Sequence, residues 1–377
     1  MLRFKAARLA VFVCALSAPG FGFAQGAGSA PGPAEEFAEM GRAAYLTGDL
    51  SGAEAYLLAA RAAEPDAGSP RMSRILNDLG VTLKSQGRYR EAARALEEAL
   101  ALVEARGEAP PDALAARLVN LAEIKAAAGR ETEVTPLYGR ALRVLEEAGG
   151  EGGELYAGTL NNLAAFHMDQ GRPAAAEPLF REALALRRGL FGETSREYAD
   201  TLVNLAELER QTQRPQEAAE HAEAALRVYR SLGLEERPTA ASAMNTLAHL
   251  RLAAGEPQQA EVLFRKALQT SEAALGPYHP QTGYAQLNLA ALYESRRQYA
   301  AAQPHYELAL ETLRASLGDG HPQTRRLAWS YGGFVSRYAR FMPNAVREKA
   351  ALIAETFGPP QAERILPASE RRIEFAP

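Results

Sequence analysis

The 377-residue chain has one cysteine, Cys14, and one tryptophan, Trp329. Cys14 falls in a stretch patterned as a secretory leader. Arg3, Lys5 and Arg8 precede an apolar run over 9–16, and the small residues Gly22 and Ala24 follow. The run is too short to span a bilayer, and Val13 stands where a lipid-anchor signal needs a small residue. Residues 1–24 are therefore read as a signal peptide cleaved before Gln25, with export to the periplasm expected. The remaining chain would then have no thiol, which excludes disulfides and thiolate chemistry and leaves packing alone to hold the fold.

Positive charge is not in excess. Three of the 42 basic residues lie in the leader, which leaves 39 against 46 acidic residues, a net of −7. An acidic surface opposes binding to a phosphate backbone or to anionic lipid. No nucleic-acid partner is expected, and membrane association only through a partner. Reactive motifs are missing too: no Gly-x-Ser-x-Gly elbow, phosphate loop or His-Glu-x-x-His. None of the six histidines has a second ligand at helical metal spacing. The glutamates sit beside Arg and Lys on helix faces, as solvated pairs do. Catalysis, a cofactor, a metal and a small-molecule substrate are all unexpected.

What the chain does have is a period. The pair Ala99-Leu100 recurs at Ala141-Leu142, Ala183-Leu184, Ala225-Leu226, Ala267-Leu268, Ala309-Leu310 and Ala351-Leu352, each step 42 residues. Leu79, Leu121, Leu163, Leu205, Leu247 and Leu289 keep the same step, each followed by Gly or Ala. Fixed self-similarity of this length marks a repeat array. Within one unit, 160–184, Leu160, Leu163, Ala164 and Phe166 share a helix face. Gly171 ends that helix, and Pro173 opens a second that buries Ala176, Phe180, Ala183 and Leu184. The small residues let helices approach to roughly 8–10 Å, and one hairpin cannot cover both its faces, so neighbours stack.

The opening Leu-Asn-Asn-Leu-Ala, Gly171-Arg172, Glu182-Ala183-Leu184 and the loops Gly-Pro-Tyr-His-Pro-Gln-Thr from Gly276 and Gly-Asp-Gly-His-Pro-Gln-Thr from Gly318 together resemble the tetratricopeptide repeat. The match is to its 42-residue, kinesin-light-chain-like variant of the bacterial exported type. The resemblance implies an all-α protein: a right-handed superhelical solenoid of about eight helix-turn-helix repeats, or about sixteen helices, over 34–357. A flexible linker over 25–33 precedes it and a tail over 358–377 follows. The first repeat turns at Gly48-Asp49 and fills its second helix with Ala53, Tyr56 and Ala60. Glycines in 146–154 make a soft joint. The pattern departs at Gln213 and Arg297, which replace the turn glycine, and at Lys125, His167, Glu209 and Arg251, which replace an aromatic.

Two asparagine columns stand out, because asparagine is a mediocre helix former. One holds Asn120, Asn162, Asn204 and Asn288. The other holds Asn77, Asn161 and Asn245, continuing through Leu287 to Trp329. One reading is hydrogen bonding between adjacent hairpins. The other, implied by the resemblance, is a peptide-binding groove in which the amides grip an extended backbone while Leu287 and Trp329 form an apolar pocket. The same implied groove would hold Arg74, Lys84, Glu123, Asp169, Asp200, Glu207, Arg210, His249 and Glu294, too acidic for a clamp on a chain-terminal carboxylate. The expected function is a non-enzymatic scaffold for a protein or peptide. The rival is an assembly component that uses its convex face or array ends.

Overall fold

The computed structural model describes residues 32–46, 49–107, 110–338, 341 and 343–357. The leader over 1–24, nearly all of the 25–33 linker and the 358–377 tail lie outside the described residues. Among the described residues there are sixteen helices and no strand. They pair as hairpins: α1 (Pro33–Leu46) with α2 (Leu50–Ala63), α3 (Pro70–Ser85) with α4 (Tyr89–Arg106), α5 (Pro111–Ala127) with α6 (Glu131–Glu147), and α7 (Glu154–Asp169) with α8 (Pro173–Phe191). Then follow α9 (Arg196–Gln211) with α10 (Pro215–Ser231), α11 (Pro238–Ala253) with α12 (Pro257–Leu275), α13 (Pro280–Ser295) with α14 (Tyr299–Leu317), and α15 (Pro322–Tyr338) with α16 (Asn344–Phe357).

Local chemistry sets the boundaries. Proline opens α3, α5, α8, α10, α11, α12 and α13, where its missing N–H costs nothing. Ser69 and Ser195 cap their helices by accepting from Met72 N and Tyr198 N. Each turn from hairpin 2 to hairpin 7 closes with the same six-residue bond, for example Arg172 N to His167 O at 2.9 Å and Arg214 N to Glu209 O at 2.8 Å. This closure needs a left-handed residue. Gly171 supplies it at φ +67, and Gln213 and Arg297 are forced there at φ +66 and +58.

The alanine column is the hairpin contact: Ala99, Ala141, Ala183, Ala225, Ala267 and Ala309 are all 0% exposed. The residue after the repeated leucine varies with the side chain that faces it. Where that is Tyr138, Phe180, Phe264 or Tyr306, all buried, the position is alanine. Where it is Leu57 or Leu96, the position is Gly41 or Gly80, and an added Cβ would meet the leucine Cγ at 2.7 Å. A branched leucine needs the room that a flat ring leaves.

Two local expectations are corrected. Leu57, not Tyr56, fills the second helix of the first hairpin, because its shorter linker shifts the register by three residues. Ala351 and Leu352 keep the sequence phase but face out, Leu352 at 63% exposure, and α16 packs through Val346, Ile353 and Phe357 instead. Two of the polar residues that replace an aromatic, Lys125 and Glu209, are buried and paired. Lys125, 2% exposed, binds Glu97 and lies 3.0 Å from Glu133, and buried Glu209 meets His221 Nδ1 at 2.7 Å.

Every hairpin packs on the next, and the thinnest joint is α6 on α7, across the glycine-rich 146–154 segment. Among the described residues, no helix is long and apolar enough to cross a membrane. The solenoid is superhelical, and its circuit brings the loop before α15 back to hairpins 2 and 3: His321 Nε2 lies 3.2 Å from Ala127 O.

Candidate interaction groove

The first helices of successive hairpins also touch one another, in a run from α1 to α13 through alternate helices. Among the described residues, no pair of second helices makes comparable contact. The first helices therefore take the shorter, inner circumference and form the concave wall.

Polar staples hold that wall together from α3 to α13. Asn120 Nδ2 donates to Asn77 Oδ1 at 3.1 Å, and Asn162 Nδ2 to Glu123 Oε1 at 2.7 Å. Asn204 Nδ2 donates to Asn161 Oδ1 at 3.0 Å, Thr246 Oγ1 to Glu207 Oε2 at 3.3 Å, and Asn288 pairs with His249. The donor column is constant while the acceptor alternates between two positions one helical turn apart. Asn77 and Asn161 serve α3 and α7; Glu123 and Glu207 serve α5 and α9. The amides of Asn77, Asn120, Asn161, Asn162 and Asn204 are thus engaged between hairpins, and Asn161 is 0% exposed.

Helix α11 alone carries polar residues at both positions, Asn245 and His249. Asn288 takes His249, so Asn245, 6% exposed, has neither Nδ2 nor Oδ1 satisfied by protein. Leu287 is buried in the C-terminal core, and Trp329 packs against the same cluster with the Arg325 guanidinium 5.3 Å from its ring.

Two expected groove residues face elsewhere. Asp200, 1% exposed, accepts from Tyr229 OH at 2.7 Å inside its hairpin. Glu294 accepts from Tyr306 OH at 2.6 Å and from Arg337 at 3.1 Å. Glu123, Asp169, Glu207, Arg210 and His249 remain half-exposed on the wall. Lys84 pairs with Glu123, and Arg210 grips Glu207 at 2.8 Å. Burial pushes Glu207 up, but Arg210 more than offsets it, and the carboxyl stays below its ordinary value. Burial, aided by Arg210, lowers His249 to about 4, so it is neutral at pH 7. Among the described residues, no side chain pairs with Asp169. Burial holds its carboxyl well above the ordinary range, and Glu131 adds to this while Arg326 opposes it.

Sequence reasoning noticed the asparagine columns but not their alternation with Glu123 and Glu207. The signal was present: α3, α5, α7 and α9 each have one polar residue in those two positions, and α11 has two. Nor was Asp169 distinguished from the paired charges around it.

Stacked hairpins with a polar inner wall define a helical-repeat protein. The chain belongs to the tetratricopeptide repeat family, whose profiles match residues 73–112, 155–231 and 239–315. No curated protein matches it. Among solved structures it is similar to apo RapI, at 13% identity over 75% of this chain and 98% of that one, with TM-score 0.61. It is also similar to apo NprR, a quorum sensor from B. thuringiensis, at 14% identity over 86% and 87%, with TM-score 0.57. BtubC from P. vanneervenii shares 25% identity over 64% and 94%, with TM-score 0.46.

Proposed function

We propose that the protein is a non-enzymatic interaction scaffold that holds an extended segment of a partner protein or peptide along its concave wall. The observation that carries this reading is the state of the wall's polar groups. The staples satisfy most of them, while Asp169 and the Asn245 amide lack partners in the protein. A buried polar group without a partner, as in the Asn245 amide, costs about 1–3 kcal/mol, and an extended backbone offers both donors and acceptors. NprR, similar in fold, has been solved in complex with its cognate peptide NprX, which supports the reading.

The leader pattern adds that the scaffold works outside the cytoplasm, probed by mass spectrometry of the native protein. A mature N-terminus near Gln25 supports export, and an intact Met1 overturns it.

The groove itself is tested with a photoreactive residue at position 169 or 249, and at exposed Leu308 on α14 as an outer-face control. Crosslinks to one partner from 169 and 249 alone support the groove, with affinity for that partner falling several-fold on Asp169→Asn. Crosslinks from the outer face alone overturn it. They would favour assembly through the apolar edge formed by Leu190, Phe191 and Leu232, each 44–45% exposed.

A further inference from the structure

The superhelix closes on itself. Hairpins 2 to 8 make one circuit, and the turn edge of hairpins 2–4 meets the loop edge of hairpins 7 and 8. Three groups of residues far apart in sequence span the seam. His321 Nε2 donates to Ala127 O at 3.2 Å. Gly87 lies against Ser316, so close that an added Cβ would stand 2.8 Å from the Ser316 carbonyl. Asp169, at the end of α7, lies within electrostatic reach of Tyr284 and Arg326, at the starts of α13 and α15, and Tyr284 also senses Tyr89.

The chemistry of each side suits the contact. His321 Nδ1 accepts from Gln323 N at 3.3 Å, which caps α15 and leaves the ring proton on Nε2, facing Ala127 O. His279, one period earlier, caps α13 in the same way, with Gln281 N at 3.2 Å. Among the described residues it makes no bond across the seam. Gly87 is left-handed, as its turn requires, and its bare Cα is what lets the carbonyl approach. Tyr284 is pushed up chiefly by burial in its own core and further by Asp169 across the seam.

We propose that this seam is a latch that encloses the concave groove as a channel, so that the partner is a free, extended segment rather than a loop of a folded domain. The restriction on the partner rests on the groove reading above; the latch does not. An enclosed channel admits a chain by its end, or while the seam is open, and a loop of a folded domain has no free end to thread.

The latch is tested without any partner, in full-length protein with Cys14 replaced by serine. Spin labels are placed at exposed Thr132 and Ala315, one on each side of the seam, and their separation is measured by pulsed electron resonance. The parent is expected to give one narrow, short distance. Gly87→Ala and His321→Ala should each shift it to a longer, broader distribution. Two controls copy the local damage and spare the seam. Gly255→Ala puts alanine at the same turn position, φ +81, with nothing within 4 Å. His279→Ala removes the equivalent cap. Both should keep the parent's distance, with helicity by circular dichroism unchanged in all four. A long or broad distance in the parent overturns the latch, as does an equal response of seam variants and controls. In either case the groove reading stands and only the restriction to free segments falls.

Discussion

Gly80 and Leu96 offer the sharpest test of how the hairpins pack. A methyl group at position 80 would lie 2.7 Å from Leu96 Cγ, 2.9 Å from Cδ2 and 3.3 Å from Ala92 O. Carbon atoms prefer about 3.5–4.0 Å, so α3 and α4 must separate or Leu96 must leave its rotamer. Overpacking of this kind costs about 1–3 kcal/mol. Replacing glycine inside a helix returns roughly 0.8–1 kcal/mol of propensity. Gly80→Ala should therefore destabilise the hairpin by about 0–2 kcal/mol. In a Leu96→Ala background, itself costing about 2–5 kcal/mol, the clash is gone and the same change should stabilise by about 1 kcal/mol. The coupling between the two sites should be about 1–3 kcal/mol. Urea unfolding followed by hydrogen exchange in α3 and α4 measures all four corners of the cycle. Equal effects of Gly80→Ala in both backgrounds would refute the packing rule. Its restoration by Leu96→Phe, copying Ala164 with Phe180, would extend the rule.

Other outcomes follow from the same contacts. Gln213→Gly should raise stability by a few tenths to about 1 kcal/mol, since the left-handed strain of about 1–2 kcal/mol outweighs glycine's entropy cost of about 0.5–1; a lower melting temperature would contradict this. Ala183→Glu should cost at least several kcal/mol by burying an unpaired charge in a closed contact, and a melt matching the parent would show that the column is not a contact. The histidines set opposite pH slopes. His221 is raised above 6.5 chiefly by its hydrogen bond to Glu209, so its stabilisation is full below 6.5 and is lost as pH rises through its folded value. His249 and His279, both lowered to about 4 by burial, contribute stability above 6.5 that is lost as pH falls toward 4. His221→Gln should therefore flatten the alkaline limb of a stability–pH curve and leave the acid limb; an unchanged alkaline limb would remove the pair from the account.

The residues of one hairpin were legible in the amino-acid sequence because their contacts are local. The 42-residue step, the glycine at the turn and the buried face of 160–184 depend on helical periodicity and backbone preference, which act over a few residues. Even the left-handed turns at Gln213 and Arg297 could be placed, since the array puts glycine there elsewhere. Other features depend on how one hairpin is rotated against the next. Whether Asn204 meets Asn161 or Asn162 meets Glu123 is a choice between positions one helical turn apart on a helix about 40 residues away. Periodicity within a helix carries no record of that angle. The same rotation, summed over hairpins 2 to 8, decides that His321 reaches Ala127 and that Asp169 comes within electrostatic reach of Tyr284 and Arg326. Asp200 and Glu294 were misplaced for a related reason: each bonds a tyrosine on the second helix of its own hairpin, Tyr229 and Tyr306, and only the packed pair shows that contact. Composition and spacing thus determined the unit and its repetition, while the small angle between units, multiplied round a full circuit, determined the wall, its unsatisfied groups and its closure.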